Sequence, residues 1–282
     1  MSEVAIITDS TAYIPDDIVK QSQLSVVPLV LIWGEEEFQD GIDIEPDEFY
    51  ARLQNAKIMP STSQVTPQSF IDTFTRLNEQ GKQILAVLIS EKLSGTIASA
   101  IQAKKMLPDV TVEIVDSNTT AMALGYQAIM AARAAADGAS LSECVAVAEE
   151  AKKNTGVVFA VDTLEFLHRG GRIGSGSRFL GTALKLKPIL EVANGRVEAV
   201  ERVRTRRKSL ERLVDLLEER IDGRTPVHLA SLNANAADEA QECLKMAEER
   251  LNVSESISST VSPVIGTHTG PGTVGLAYLA GM

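Results

Sequence analysis

Apolar segments of strand length alternate with helical segments along the first half of the chain. The clearest strand signal is 84–89, a continuous apolar run that follows a helix ending near Gly81 and precedes one beginning near Gly95. A run that is apolar at every position is typical of a strand covered on both faces, as in a parallel sheet. The strand–helix order therefore predicts a parallel sheet flanked by helices.

We predict further strands of this sheet at 4–8, 26–33 and 110–115. Thr66-Pro67 is a typical helix start, because a hydroxyl cap is followed by proline in the first turn. Residues 35–41 are expected to form a hairpin arm. Alanine-rich helices at 119–137 and 141–153 complete this part, and we place its end at residue 158.

The pattern changes from about residue 159 to 282. Asn194-Gly195 is a hairpin signal between two short strands, and apolar spacing predicts an amphipathic helix that ends at Ile221. Strands at 227–232 and 253–261 flank a helix at 236–251, and 274–279 is predicted to be a terminal helix. The fold class is therefore α/β, with a parallel-sheet α/β/α domain (1–158) and a two-layer domain with a mixed sheet (159–282). We expect a ligand site at their interface.

Three short segments rich in hydroxyl groups and glycine lie near predicted strand ends, at 60–64, 90–96 and 266–272. Hydroxyls, helix-start N–H groups and an imidazole can bind a carboxylate or phosphate without a metal. Ser94 follows a strand of the parallel sheet, at the end where ligands bind. Helix capping explains Ser94 at least as well by position alone, and Thr62 fits an ordinary turn. His268 lies among glycines, which favours a functional loop.

The overall charge narrows the classes of ligand. A net charge of −11 argues against general nucleic-acid binding. Arg169 to Lys187 nevertheless contains five basic residues and no acidic one, and 196–212 contains seven bases and three acids. These basic stretches suit an acidic ligand or partner, although a solvated surface explains the second stretch equally well.

Other sequence features favour a cytoplasmic protein without metal or cofactor. No run of eighteen apolar residues exists, and the first residues lack a signal-peptide pattern. Cys144 and Cys243 have no metal-ligand spacing and are expected to be buried thiols. Residues 176–182 have phosphate-loop spacing but lack the lysine that nucleotide hydrolysis needs.

A set of short motifs runs in order along nearly the whole chain. The set comprises I-T-D-S-T (7–11), T-S-Q (62–64), L-S-G-T (93–96), V-D-S (115–117), G-G-R-I (170–173), L-K-P-I-L (186–190), R-V-R-T-R (202–206) and G-T-H-T-G-P-G (266–272). Each motif is weak alone, but the ordered set is specific. It resembles the DegV family of bacterial fatty-acid-binding proteins. One departure is that proline follows the T-S-Q motif later than usual, at Pro67.

The resemblance implies two α/β domains that bury the acyl chain of a long-chain fatty acid such as palmitate. In the family the carboxylate is held by residues that correspond here to Thr62, Ser94, Gly95 and His268. Some members present the bound acid to a separate fatty acid kinase, which makes the acyl phosphate. Arg172 and Arg204 are the candidates for contact with that partner. The resemblance implies a carrier without catalytic activity, and we expect a monomer that does not insert into membranes.

Two other classes of function remain open from the sequence. Ser94 and His268, with Asp9 or Asp116, could form a serine hydrolase, although Lys92 and Thr96 occupy the glycine positions of a nucleophile elbow. A protein that binds a phosphorylated sugar or dihydroxyacetone could share the architecture. Covalent labelling of Ser94 would support the hydrolase, and retention of a small polar ligand would favour the sugar-phosphate or dihydroxyacetone alternative over a lipid.

Overall fold

The computed structural model describes residues 3–179 and 186–282. Strands of the first half are β1 (Val4–Asp9), β2 (Ser25–Val27), β3 (Val30–Trp33), β4 (Glu36–Gln39), β5 (Ser61–Ser63), β6 (Gln83–Leu88) and β7 (Val112–Asp116). Its helices are α1 (Asp16–Gln21), α2 (Pro46–Gln54), α3 (Pro67–Glu79), α4 (Thr96–Met106), α5 (Ala121–Ala136) and α6 (Leu141–Asn154).

Strands of the second half are β8 (Thr155–Ala160), β9 (Lys187–Ala193), β10 (Arg196–Val203), β11 (Val227–Asn233), β12 (Val253–Thr260) and β13 (Val274–Ala280). Its helices are α7 (Glu165–Arg169), α8 (Arg206–Ile221), α9 (Ala237–Arg250) and α10 (Pro263–Thr269). A short 3-10 helix covers Gly174–Phe179. Lys185, one of the basic residues noted above, lies outside the described residues.

Two principal sheets confirm the predicted α/β fold. The first has the order β2-β1-β6-β7 and is parallel throughout. All of β1 is buried, as is β6 apart from its first residue, which explains why their sequences are apolar almost without interruption. The second sheet has the order β10-β9-β8-β13-β11-β12 and is mixed, since only β11 and β12 pair in parallel.

The predicted strand at 26–33 is two strands. Pro28 separates β2, which joins the parallel sheet, from β3, which pairs with β4 and β5 in a small antiparallel sheet. Proline has no N–H to donate to a sheet ladder, so the chain changes sheets there. The small sheet includes the predicted hairpin arm and places Thr62 opposite Leu31.

The prediction of a terminal helix at 274–279 is wrong. This segment is β13, which lies between β8 and β11 in the second sheet and is buried at every residue. A short apolar run fits a buried strand as well as a buried helix, so periodicity could not separate the two. The pairing partners that decide the matter are distant in sequence.

The two halves share a core. The largest hydrophobic cluster joins β1 and β6 to residues of the second half, including Val157, Leu232 and Leu279. Helix α5 packs against both β8 and β13. Strand β8 pairs wholly within the second sheet and begins before the boundary we drew after residue 158.

Candidate functional site

A cavity of about 840 Å³, counted with the open space at its mouth, is bounded by residues of both halves. Its walls are mostly apolar, and they include Leu29, Ile89, Leu93, Val157, Phe159, Leu167, Val192, Leu232 and Val264. Gly275 of β13 also lines the cavity, and a Cβ there would lie 3.0 Å from the Val158 carbonyl oxygen. A mostly apolar cavity with a few polar groups is typical of a small-molecule site.

Thr62, Ser94 and His268 all line this cavity. The Thr62 hydroxyl lies 2.8 Å from His268 Nε2, a contact between residues 206 positions apart. Ser94 Oγ lies 2.9 Å from Thr96 Oγ1 and accepts a hydrogen bond from the Thr96 N–H at 3.3 Å. The structure thus brings three of the four predicted carboxylate ligands together.

Ser94 is positioned by the turn between β6 and α4. Its backbone N–H donates to the Ser90 carbonyl at 3.1 Å, and α4 begins two residues later. Ser94 precedes the N-cap residue of this helix, accepts from its first N–H group and lines the cavity, so a structural and a ligand-binding role are compatible. The positive end of the α4 dipole favours a negative charge beside Ser94.

Gly95 does not line the cavity, unlike the other predicted ligands. It is the N-cap residue of α4, and a Cβ built there would lie 3.2 Å from the Gln64 side chain. Gln64 is itself a cavity-lining residue that the sequence analysis did not select as a ligand. Position 95 therefore packs against the end of the Gln64 side chain.

His268 lies on α10 and not in the glycine-rich loop that we expected. Ser262 caps this helix by accepting from the Ile265 N–H at 3.2 Å, and Gly270 ends it with a φ of 78°. Burial lowers the pKa of His268 to about 4, and the positive charge of Arg172 acts in the same direction. The imidazole is therefore neutral at pH 7.

Arg172 also lines the cavity, beside His268. Its Nε donates to the Leu93 carbonyl at 3.0 Å and its Nη1 to the Gly170 carbonyl at 2.6 Å. The family resemblance predicted a partner contact for Arg172, whereas the structure places Arg172 in the cavity wall. Its guanidinium links the segment before Ser94 to the segment beside His268.

Arg204 lies elsewhere, in the exposed connection between β10 and α8. It is not among the cavity-lining residues. Its role as a partner contact stays a prediction.

Comparison with known proteins agrees with the motif pattern. A family model described as "Uncharacterised protein, DegV family" matches residues 3–281. A DegV domain-containing protein of Streptomyces coelicolor is 37% identical over 275 residues, which cover 97% of each chain. This chain belongs to the DegV family. The family assignment was therefore predicted correctly from the ordered motifs.

Solved structures of DegV proteins share the fold. A fatty-acid-binding DegV protein from Thermus thermophilus has a TM-score of 0.93 at 32% identity, covering 99% of both chains. DegV from Bacillus subtilis, a fatty acid binding protein, has a TM-score of 0.91 at 32% identity, covering 99% of this chain and all of the other.

Most of the residues that line the cavity of this DegV-family chain could not be predicted from the sequence. The apolar wall residues come from many separate elements, among them β8, β9, β11 and α10, and they resemble any other core. The G-G-R-I motif did signal Arg172, although it did not show which way the side chain would point.

Within the described ranges, no helix is long and apolar enough to cross a membrane. The same residues contain no group of three or more His, Cys, Asp or Glu side chains arranged to hold a metal ion.

Proposed function

We propose that this chain binds a long-chain fatty acid, such as palmitate, in the cavity between its two domains and carries it without chemical change. The observation that carries the proposal is an apolar cavity whose polar wall is built by Thr62, Ser94, His268 and Arg172. The fatty acid binding of the Thermus thermophilus and Bacillus subtilis relatives supports the same ligand class.

The polar wall suits a carboxylate. The hydroxyls of Thr62 and Ser94 donate hydrogen bonds, and neutral His268 donates through one ring nitrogen. Arg172 supplies positive charge at the same wall, and charge-assisted hydrogen bonds are about twice as strong as neutral ones. The start of α4 beside Ser94 adds a favourable dipole.

The energies agree with tight binding. Burying a sixteen-carbon chain contributes on the order of 12 kcal/mol gross, at about 0.8 kcal/mol per methylene group. An unpaired carboxylate in the same cavity would cost several kcal/mol. The polar wall offsets this cost, so that the gain from the acyl chain is left to cover the roughly 4–15 kcal/mol lost in freedom of motion on association.

The presentation of the bound acid to a fatty acid kinase is the second part of the proposal. Arg204 lies on an exposed connection outside the cavity, where an acidic partner could reach it. The proposed setting is the cytoplasm, with the carrier as a monomer.

The geometry gives less support to a serine hydrolase. In the described part of the chain, the Ser94 hydroxyl bonds to Thr96 and His268 bonds to Thr62, so the two are not joined by a hydrogen bond. His268 Nδ1 has no hydrogen-bond partner among the described residues, so no carboxylate orients the ring. A nucleophile next to its base and an oriented base are what a catalytic triad needs. The apolar walls likewise disfavour a sugar phosphate.

The first experiment is native mass spectrometry of freshly purified protein, followed by organic extraction and identification of any ligand. A bound fatty acid of 14–18 carbons is the expected result. An empty protein that also failed to take up added palmitate or oleate would overturn the proposal.

Substitution then tests the site. Ser94→Ala and His268→Ala are each expected to weaken palmitate binding about tenfold or more, the loss typical of one hydrogen bond to a charged group. The melting temperature should stay near that of the parent. His168→Ala, which removes an exposed histidine of α7, is the control and should bind palmitate normally. Unchanged palmitate affinity in both Ser94→Ala and His268→Ala would refute the assignment of these residues to the carboxylate site.

A further inference from the structure

Two buried carboxylates lie behind the cavity and do not line it. Asp9 ends β1 and is fully buried, and Asp40 follows β4 with 2% of its surface exposed. Burial raises the pKa of both groups, because a charge is poorly solvated there. Buried carboxyl groups need hydrogen-bond partners, so the partners show what these two residues hold in place.

Asp9 is bonded to the segment that presents Ser94. One carboxyl oxygen accepts from the Ile89 N–H at 2.7 Å, and the other accepts from the Thr11 N–H at 3.0 Å and the Thr11 hydroxyl at 2.5 Å. Ile89 lines the cavity and precedes Ser90, whose carbonyl accepts from the Ser94 N–H. Asp9 therefore fixes the base of the Ser94 turn.

Asp40 is bonded to the helix that carries His268. One oxygen accepts from the Val264 N–H at 3.2 Å, and the Ser262 side chain also bonds to this carboxyl group. Val264 lies in the first turn of α10 and lines the cavity. Asp40 belongs to the first half of the chain, so this contact spans 224 residues and ties α10 to the opposite half.

Ser10, which follows Asp9 in the chain, joins Asp40 to a third part of the wall. Its hydroxyl donates to Asp40 at 2.7 Å and accepts from the Leu29 N–H at 3.0 Å. Leu29 lines the cavity as well. Asp9 and the bonded pair Ser10–Asp40 thus hold the backbone N–H groups of three cavity-lining residues, Leu29, Ile89 and Val264.

We propose that Asp9, Ser10 and Asp40 are positioning residues of the ligand site, which hold the Ser94 turn and the His268 helix in register with each other. The identity of the ligand in this proposal rests on the proposed function. Helix capping accounts for the bonds from Asp9 to Thr11. It does not account for the bonds to Leu29, Ile89 and Val264, each of which ends on the cavity wall.

Hydrogen-bond chemistry distinguishes the two carboxylates. In Asp40→Asn the amide oxygen can still accept from Val264, and the amide NH₂ can donate to Ser10, whose hydroxyl can accept. In Asp9→Asn the NH₂ must face either the Ile89 N–H or the donors of Thr11, because both carboxyl oxygens accept from backbone N–H groups. The proposal therefore predicts that Asp40→Asn is tolerated and that Asp9→Asn is not.

The experiment measures two quantities for Asp40→Asn, Asp40→Ala and Asp9→Asn. The first is the His268 pKa in the ligand-free protein by NMR, and the second is the palmitate dissociation constant at pH 7. Asp40→Ala should raise the His268 pKa from about 4 toward its ordinary 6.5 as α10 moves, and weaken palmitate binding about tenfold or more. Asp40→Asn should match the parent in both measurements. Asp9→Asn should weaken palmitate binding to a similar extent.

The control is Asp43→Asn in the same turn, where an exposed carboxylate accepts from the Gln39 N–H. It should match the parent throughout. Parent-like His268 pKa and palmitate affinity in Asp40→Ala, with only a lower melting temperature, would overturn the proposal. If Asp40→Ala does not fold, Ser10→Ala tests the same network and is read by the same criteria. The NMR measurement needs no ligand, so a parent protein that fails to bind palmitate refutes the proposed function alone.

Discussion

At the scale of single residues, the packing around His268 sets the geometry of the site. A Cβ built on Gly170 would lie 2.0 Å from His268 Nδ1, far inside van der Waals contact. The φ of Gly170 is −73°, so its backbone would accept other residues. Contact with the imidazole therefore explains the glycine at this position.

We expect Gly170→Ala to displace the His268 ring from Thr62 and weaken palmitate binding about tenfold, the loss of one hydrogen bond to a charged group. Isothermal titration calorimetry measures the affinity. Gly171→Ala is the matched control, because its φ of 70° strains an alanine while no atom lies within 4 Å of the added Cβ. It should lower stability by about 1 kcal/mol and leave affinity unchanged. Equal affinities for both variants would contradict this explanation.

The buried carboxyl of Asp40 makes stability depend on pH. Burial raises its pKa from 3.8 to about 7, so between pH 4 and 7 the folded protein keeps a proton that the unfolded chain has lost. Stability then falls as pH rises through this window. Asp9, with a pKa raised to about 6, acts in the same direction.

Asp40→Asn removes this contribution. The melting temperature of the variant minus that of the parent should increase from pH 4 to 7 and level off above it, corresponding to a few kcal/mol at most. Calorimetry at several pH values measures the difference. The lowered pKa of His268 has the opposite effect on stability, but it is common to both proteins and cancels. A difference independent of pH would show that Asp40 is ionised throughout.

At the scale of secondary-structure elements, the β9–β10 hairpin is fixed to the turn that presents Ser94. Ser90 Oγ donates to the Gly195 carbonyl at 2.9 Å, and Lys92 Nζ donates to the Asn194 carbonyl at 2.8 Å. Both donors lie between β6 and Ser94. The Asn-Gly turn therefore shapes the hairpin and also connects the two halves of the molecule.

Gly195→Ala tests this contact. Gly195 has a φ of 77°, and a Cβ there would lie 2.4 Å from Ser90 Oγ. Gly34, in the β3–β4 turn, has a φ of 68° and open space around it. Both alanine variants add left-handed strain, but only Gly195→Ala adds the clash, so it should lose about 1–3 kcal/mol more in free energy of unfolding. Urea denaturation measures the free energy of unfolding of both variants. Equal losses would mean that the hairpin shifts away from Ser90 at no measurable cost in stability.

At the scale of the whole molecule, the two halves form one structural unit around the cavity. They share a hydrophobic core, and both contribute walls to the cavity. The molecule is acidic overall, with a net charge of −11. Exposed basic residues such as Arg204 are therefore locally distinct on its surface, which suits an acidic partner.

Arg204→Glu is expected to slow acyl phosphate formation about tenfold or more when the palmitate-loaded carrier is supplied to a bacterial fatty acid kinase, since a repulsive charge would replace an attractive one. Palmitate affinity should not change, because Arg204 lies outside the cavity. Arg196→Glu, at the other end of β10, is the control for net charge. An equal effect of both reversals would argue against a local docking role for Arg204.

The sequence was sufficient wherever the physical signal is local. The apolar run of β6, the Thr66-Pro67 start of α3 and the Asn-Gly turn of the β9–β10 hairpin each depend on neighbouring residues, and each was predicted. The ordered motifs gave the family, and with it Thr62, Ser94 and His268 as neighbours.

Contacts between distant residues required the tertiary structure. Val274–Ala280 became a strand because β8 and β11 supply hydrogen-bond partners on both sides, which an apolar run cannot reveal. Arg172 turned toward the cavity because the Leu93 and Gly170 carbonyls accept its N–H groups there. The structural role of Asp40 became visible only from its hydrogen bond with the Val264 N–H, 224 residues away. Local propensity specified the elements, whereas burial and long-range hydrogen bonding assembled the site.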